Sequence, residues 1–481
     1  MTADYIAFHA AERPDAVAVI DRGREITYVQ FHRDLGRFVR ALDELGLGRG
    51  RSVAVDWGEL YPHWLLLIAC EQLGIATAIF LPQEGADARL FETVDLVLSE
   101  VRPPSVVPER HHAVTPQWLA DVLARTDTGV PATTAKHPDD PLRIVRTSGT
   151  TGKQKRLLLT RRMFEAWVER WVWSLGITRT SRTLVNMPFT VTSGYALATA
   201  VIRAGGTVLD AGIGTAEALA GPAQGLTHLR ITPLELKLVL DNLPSDFARP
   251  AHLVVYTVGA ALAASLRERT LAHLASEVIV SYGCNEVLFA AETRANGSEG
   301  ACTIYPWVEA EVVTEWDAPV PVGTAGKIRL RDEAMATGYL DDPETTTQKF
   351  RDGWFYPGDI GVLHGPRRLQ ILGREDEVMN IGAIKLAPSV FEALVLQHVT
   401  AGDIGVCSTR NSDGIEEICV AVANPDHGDA DLLERITRAF RHLPVGCFHV
   451  VKVARIPRNP NGKIQRDLLK QTVTAATRQK V

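Results

Sequence analysis

Thr147-Ser148-Gly149-Thr150-Thr151-Gly152-Lys153-Gln154-Lys155 follows a strand-like run at 142–145 and is the most informative stretch of the chain. Its two glycines let the backbone turn tightly and approach a ligand closely. Hydroxyls and free amides are available to donate hydrogen bonds, and two lysines offset phosphate charge, so the composition is that of a phosphate cradle. The Walker pattern G-x-x-x-x-G-K-[ST] cannot be laid on it. A Gly/Ser/Thr-rich surface turn has the same composition, and only the surroundings separate the two readings.

Outward from that loop, hydrophobic periodicity switches between short β-branched runs and amphipathic stretches, the pattern of a wound α/β domain rather than a sandwich or bundle. Residues 52–55 read as a strand, and 59–73 as a helix with Leu60, Trp64, Leu67 and Ile68 on one face. Gly74 ends that helix, and 75–81 return as a strand. Further units are predicted: strand 183–187, helix 194–203 and strand 207–209; strand 228–231 with helix 234–243; strand 253–257 with helix 262–274; then strand 278–281. In open parallel sheets the segments leaving the carboxyl ends of strands face one crevice. Residues 188–194, 258–261 and 282–286 are therefore expected to lie together and to form the site.

From about residue 303 the texture changes to short alternating strands at 310–314, 327–330, 361–363 and 369–372, which predicts a small β-barrel-like appendage. After Gly373-Arg374-Glu375-Asp376 comes a compact segment with helix 389–397, strand 418–423, helix 429–441 and strand 450–455. A chain of 481 residues is too long for one core, and this segment reads as a domain of its own. The balance of 51 Lys and Arg against 57 Asp and Glu, a net charge of -6, gives no global signal for nucleic acid or an anionic membrane. Six cysteines show neither Cys-x-x-Cys spacing nor disulfide-framework density and read as reduced thiols. No basic stretch leads into an apolar one at the start, and the longest apolar run, 64–70, is far short of the roughly 20 residues that span a bilayer. The expected location is cytoplasmic, without nucleic-acid or membrane partners.

Five ordered pieces carry a resemblance. The loop resembles T-S-G-T-T-G-x-P-K, Tyr282-Gly283-Cys284-Asn285-Glu286 is similar to Y-G-x-T-E, and Trp354-Phe355-Tyr356-Pro357-Gly358-Asp359 is similar to W-F-x-T-G-D. Gly373-Arg374-Glu375-Asp376 resembles G-R-x-D, and Pro457-Arg458-Asn459-Pro460-Asn461-Gly462-Lys463-Ile464-Gln465-Arg466 resembles P-x-x-x-x-G-K-x-x-R. These are signatures of the adenylate-forming superfamily, which comprises acyl-CoA synthetases, adenylation domains of nonribosomal synthetases, and luciferases. Ile26-Thr27-Tyr28 matches the family's opening, so the resemblance spans nearly the whole chain. It implies a large N-terminal ATP- and acid-binding domain of wound α/β sheets with the barrel-like subdomain over 1–374. A hinge at 375–377 and a small mobile α+β C-terminal domain over 378–481 complete the expected architecture.

The implied reaction has two steps: a carboxylate attacks the α-phosphate of ATP to give an acyl adenylate and pyrophosphate, and a second nucleophile then displaces AMP. ATP and Mg²⁺ are the implied cofactors, with CoA as a further cosubstrate; the partners are a small acid and an acceptor that is CoA, a carrier protein or an amine. The first step brings anion to anion, and two unit charges about 4 Å apart repel by roughly 4 kcal/mol at an effective dielectric near 20. The resemblance assigns Lys463 to bridge them and Glu286 to act with it as the Mg²⁺ ligand. Thr147, Ser148, Gly149, Thr150, Thr151, Gly152 and Lys155, with Gly283 and Asn285, are expected around the phosphates. Asp359 is expected to accept from the ribose hydroxyls, Arg374 to contact ribose or phosphate, and Tyr282 to stack on adenine. Asp376 is the implied pivot of the small domain, and Gly382 sits in the loop that lines a thiol tunnel in relatives.

Four residues depart from the pattern: Gln154 for Pro, Arg156 for Gly, Asn285 for Thr and Pro357 for Thr. An Asn amide still donates, whereas Pro357 removes a hydroxyl and a backbone donor. In Val258-Gly259-Ala260-Ala261-Leu262, which corresponds to G-G-A-P-L, the valine adds bulk where an acyl group lies. Phe189, Val191, Ser193, Val258, Gly259 and Cys284 are the expected pocket residues, and 188–194 contain no acid to pair with an α-ammonium. A small aromatic or short aliphatic acid is expected, passed to a thiol. Two alternatives stay open: transfer to an amine or activation of an oxyanion such as nitrite toward an aryl amine, and a non-catalytic nucleotide-binding relative. Asn285 and Pro357 motivate the last; Lys155, Glu286, Asp359 and Lys463 oppose it.

Overall fold

The computed structural model describes residues 1–80, 88–128, 137–147, 155–187, 189–221, 223, 225–259, 262–294, 300–375, 377, 379–381, 384–386, 388–399, 403–410, 416–425, 428–440, 448–459 and 462–478. Two sheets organise the larger part. The first has six strands in the order His111–Ala113, Leu96–Ser99, Ser52–Val55, Ala76–Ile79, Pro141–Thr147 and Lys155–Thr160. The first five are parallel and the last turns back antiparallel, with Thr147 opposite Lys155. The hydroxyl-rich stretch of residues 148–154 therefore connects the two strands of a hairpin and lies outside the described residues.

Helix Leu60–Leu73 makes the right-handed crossover between two of these strands. The sequence predicts one apolar face, yet every residue from Leu60 to Gln72 is buried, because the helix is enclosed by both sheets. Its one acid, Glu71, is compensated: its carboxylate accepts from the Thr2 backbone N–H at 3.2 Å and lies 3.8 Å from Arg203. Gly74 closes the helix at φ 72°, as the glycine in the sequence predicts.

The second sheet has fifteen strands. Its parallel part runs Glu277–Tyr282, Val254–Thr257, His228–Ile231, Arg182–Leu184, Thr207–Asp210 and Val17–Asp21. Ala291–Thr293, Ala301–Ile304, Arg368–Arg374, Asp359–Gly365 and Ala325–Arg331 extend it antiparallel. The expected barrel-like appendage is thus an open continuation of the wound sheet, and no strand order closes on itself among the described residues. One large core draws on both sheets (Val53, Val55, Leu142; Val208, Tyr256, Ile279) and on the helices between them, including the fully buried Trp64 and Trp171. Each such side chain contributes about 1.5–3 kcal/mol of burial.

Residues from Met379 onward build a separate three-stranded sheet, Asp403–Arg410, Glu416–Ala423 and Phe448–Val453, with helices Pro388–Leu396, Asp429–Phe440 and Arg466–Arg478. It has its own apolar clusters, one around Phe391, Val406 and Ile436, another around Cys419, Ile456 and Leu469. An α+β composition was expected there and is present.

Candidate active site

Parallel register aligns the carboxyl ends of Arg182–Leu184, His228–Ile231, Val254–Thr257 and Glu277–Tyr282 along one edge. The chain leaving that edge carries the expected site segments. Val258 continues its strand by donating its N–H to Ile231 at 3.2 Å, and Gly259 follows at φ 91°, a conformation that a Cβ disfavours. Val258 packs half-buried against the main core.

At one end of the edge, the Tyr282 hydroxyl donates to Asp359 Oδ2 at 2.6 Å, and Arg374 Nη1 donates to Asp359 Oδ1 at 3.2 Å. Asp359 and Arg374 stand opposite each other in an antiparallel ladder, which fixes their spacing. Burial, then the Asp359 charge, hold the Tyr282 phenol well above its ordinary range, so it stays a donor. The substituted Pro357 contributes its carbonyl, which accepts from Arg374 Nη1 at 2.8 Å. Three residues from three separate motifs thus form one charged, hydrogen-bonded group.

A second group forms around a residue that the sequence reading missed. Glu286 is 6% exposed, and its Oε1 accepts from the Tyr339 hydroxyl at 2.8 Å. The Lys155 ammonium lies 5.1 Å from the centroid of the same Tyr339 ring. Tyr339 is therefore shared by the cation that ends the hydroxyl-rich stretch and the expected metal-binding acid. Burial, then Glu286, push its phenol above the ordinary range. No local pattern connects Tyr339 with a partner 53 residues away. The atypical Arg156 supplies the missing link: its carbonyl accepts from Leu340 N–H at 2.9 Å, and its guanidinium pairs with Asp341. Both contacts fasten the segment around Tyr339 to the hairpin.

Asn285 Nδ2 donates to the Arg146 carbonyl at 3.2 Å, joining its motif to the residue before Thr147. Gly283, exposed in the same motif, leaves space that a Cβ would close to 3.1 Å from Phe289 N. Cys284 is half-buried, and burial followed by the neighbouring Glu286 raises its thiol well above the ordinary range, so it is a protonated wall rather than a nucleophile.

Of the expected pocket residues, Phe189 is 4% exposed and packs edge-on against Trp64 at 5.6 Å and Tyr195 at 5.0 Å, which makes it a core residue behind the site. Val191 is the N-cap of helix Thr192–Arg203, and Ser193 lies in its first turn; both are half-buried. Lys463 is exposed, with its backbone N–H held by Asn459 Oδ1 at 3.0 Å. The preceding Gly462, at φ 77°, lies against the edge of the large sheet: a Cβ there would stand 3.8 Å from Thr232 Oγ1 and from Leu234 Cβ. The turn that bears Lys463 is thus seated at the carboxyl end of strand His228–Ile231. Ser148, Gly149, Thr150, Thr151, Gly152, Asp376 and Gly382 lie outside the described residues, as does the side chain of Thr147.

Among the described residues no three His, Cys, Asp or Glu side chains converge on a metal position. A lone buried carboxylate such as Glu286 fits Mg²⁺, which keeps waters and phosphate oxygens and needs few protein ligands. No helix among the described residues is long and apolar enough to cross a membrane.

Known proteins resemble the chain over nearly its whole length. Residues 6–340 match the family described as AMP-binding enzyme. The chain is 25% identical to a fatty acid–[acyl-carrier-protein] ligase, ScoC, of Streptomyces coeruleorubidus, over 99% of this chain and 97% of that protein. It is 28% identical to an indoleacetate–CoA ligase of Aromatoleum aromaticum, over 98% of both. Its fold matches that of an anthranilate CoA ligase, AuaEII, solved with anthranoyl-AMP, at a TM-score of 0.87 and 20% identity, over 99% of this chain and 98% of that one.

Proposed function

The chain belongs to the AMP-binding enzyme family, and from that premise we propose that it is an AMP-forming ligase that activates a small carboxylic acid with ATP. The observation that carries this reading is the seating of the Gly462-Lys463 turn against Thr232, on the same sheet edge as Tyr282, Asp359 and Glu286.

In the first step an oxygen of the acid's carboxylate forms a bond to the α-phosphorus. The bond to the bridging oxygen breaks, and pyrophosphate leaves with the electron pair. Lys463 reduces the repulsion between the two anions; a preorganised charge of this kind contributes about 3–4 kcal/mol in comparable sites. Lys155 serves the phosphates, and Asp359, fixed by Tyr282 and Arg374, accepts from the ribose. Mg²⁺ held by Glu286 would neutralise phosphate charge when bound. In the second step a thiolate sulfur attacks the acyl carbon and AMP departs. ScoC and the indoleacetate–CoA ligase are ligases to a carrier protein and to CoA, which favours a thiol over an amine as acceptor.

We further propose that residues 375–377 are the hinge between a unit over 1–374 and one over 378–481, with Asp376 as its pivot and Gly382 lining the thiol path. The cytoplasmic location we propose is supported by the five cysteines among the described residues, all unbridged. Exchange of labelled pyrophosphate into ATP, dependent on one acid and lost in Lys463→Ala, is the expected result; exchange undiminished in that variant removes Lys463 from the reaction.

A further inference from the structure

Arg230 stands on strand His228–Ile231, opposite Tyr256 in register, and is 6% exposed. Its Nη1 donates to the sulfur of Met187, in the segment that leaves strand Arg182–Leu184, so the guanidinium reaches toward the carboxyl edge. Its Nε is buried without a hydrogen-bond partner, and among the described residues no carboxylate forms an ion pair with it. Glu235 is the nearby acid and acts on Arg230 only at longer range, while its Oε1 accepts from Asn186 Nδ2 and from Thr215 Oγ1, both at 2.9 Å. Burial lowers the guanidinium to about 10, with a smaller opposing pull from Glu235. A buried cation without an ion pair is costly to keep, and an anionic group entering beside it would relieve that cost.

The position fits substrate rather than nucleotide. Thr232, the extended helix N-cap that follows the strand two residues beyond Arg230, lies beneath the Lys463 turn, so Arg230 is deeper by about 7 Å of extended chain. Val258 extends the neighbouring strand two residues beyond Tyr256.

We infer that Arg230 is a specificity-determining residue that pairs with a second anionic group on the acid, and that the substrate is a short diacid activated at its other carboxylate. The inference rests on the adenylation reading above. Guanidinium and carboxylate match as a two-pronged, charge-assisted pair. A monoacid of the same length leaves the cation unpaired, and sites built around a buried polar contact reject analogues that lack it.

Pyrophosphate exchange into ATP is measured for matched pairs: succinate with butanoate, glutarate with pentanoate, terephthalate with 4-methylbenzoate. For at least one pair kcat/KM for the diacid exceeds that for the monoacid by about tenfold or more. In Arg230→Met that ratio falls by about tenfold, and Arg230→Lys, which keeps the charge, restores part of it. Because loss of folding in Arg230→Met would lower both members of a pair alike, the ratio is the readout, and the wild-type ratios stand without any variant. Exchange with monoacids equal to or better than diacids in every pair, or a ratio unchanged in Arg230→Met, overturns the inference and leaves the adenylation reading intact. No exchange with any acid overturns both.

Discussion

The Tyr282 hydroxyl donates a 2.6 Å hydrogen bond to Asp359 Oδ2, joining the end of the parallel sheet to the first strand residue after Gly358. The two residues are 77 apart in the chain. That bond orients the carboxylate proposed to hold ribose.

Tyr282→Phe is therefore expected to raise the KM for ATP. A hydrogen bond to a charged group contributes about 1.5–3 kcal/mol, which corresponds to roughly ten- to hundredfold, and Asp359→Ala has the larger effect because it removes the acceptor itself. Initial-rate titration of ATP in both variants decides it; an unchanged KM in Asp359→Ala would contradict the ribose role.

Tyr339→Phe leaves the buried Glu286 without its 2.8 Å donor and keeps the aromatic face under Lys155. The expected outcome is a several-fold change in the Mg²⁺ concentration that gives half-maximal exchange, with thermal stability nearly unchanged. Magnesium titration against a melting curve reads both.

Lys463→Ala is expected to reduce exchange by about a hundred- to a thousandfold, as loss of a charge-stabilising donor does elsewhere. ATP binding followed by calorimetry should stay near the wild-type value, because Tyr282, Asp359 and Arg374 are untouched. A weakened ATP affinity matching the loss in rate would make Lys463 a nucleotide-binding residue instead.

Acid stability should depend on His63. Burial, then Arg143, hold this imidazole at about 3 in the folded chain, against an ordinary 6.5. Below 6.5 the unfolded chain takes up a proton that the folded one refuses, so the contribution is fully present above 6.5 and is lost as pH falls toward 3. In His63→Gln the urea midpoint is expected to change less between pH 7.5 and pH 5 than in the wild type. An equal change in both would show that the ring titrates normally.

The sequence by itself determined the order of elements and the residue types in the candidate-site motifs. Strand His228–Ile231, helix Asp429–Phe440 and the Gly74 helix stop are legible because apolar periodicity and a left-handed glycine are local properties. Motif spacing likewise singled out Tyr282, Glu286, Asp359 and Lys463 as candidates. Only the tertiary structure decided that Tyr339 joins Lys155 to Glu286, that Arg156 fastens that segment, that Phe189 belongs to the core, and that Arg230 is buried with its Nε unpartnered. Each of these depends on which strands become neighbours in a sheet, and partners brought together by long-range pairing leave no trace in the periodicity of either segment.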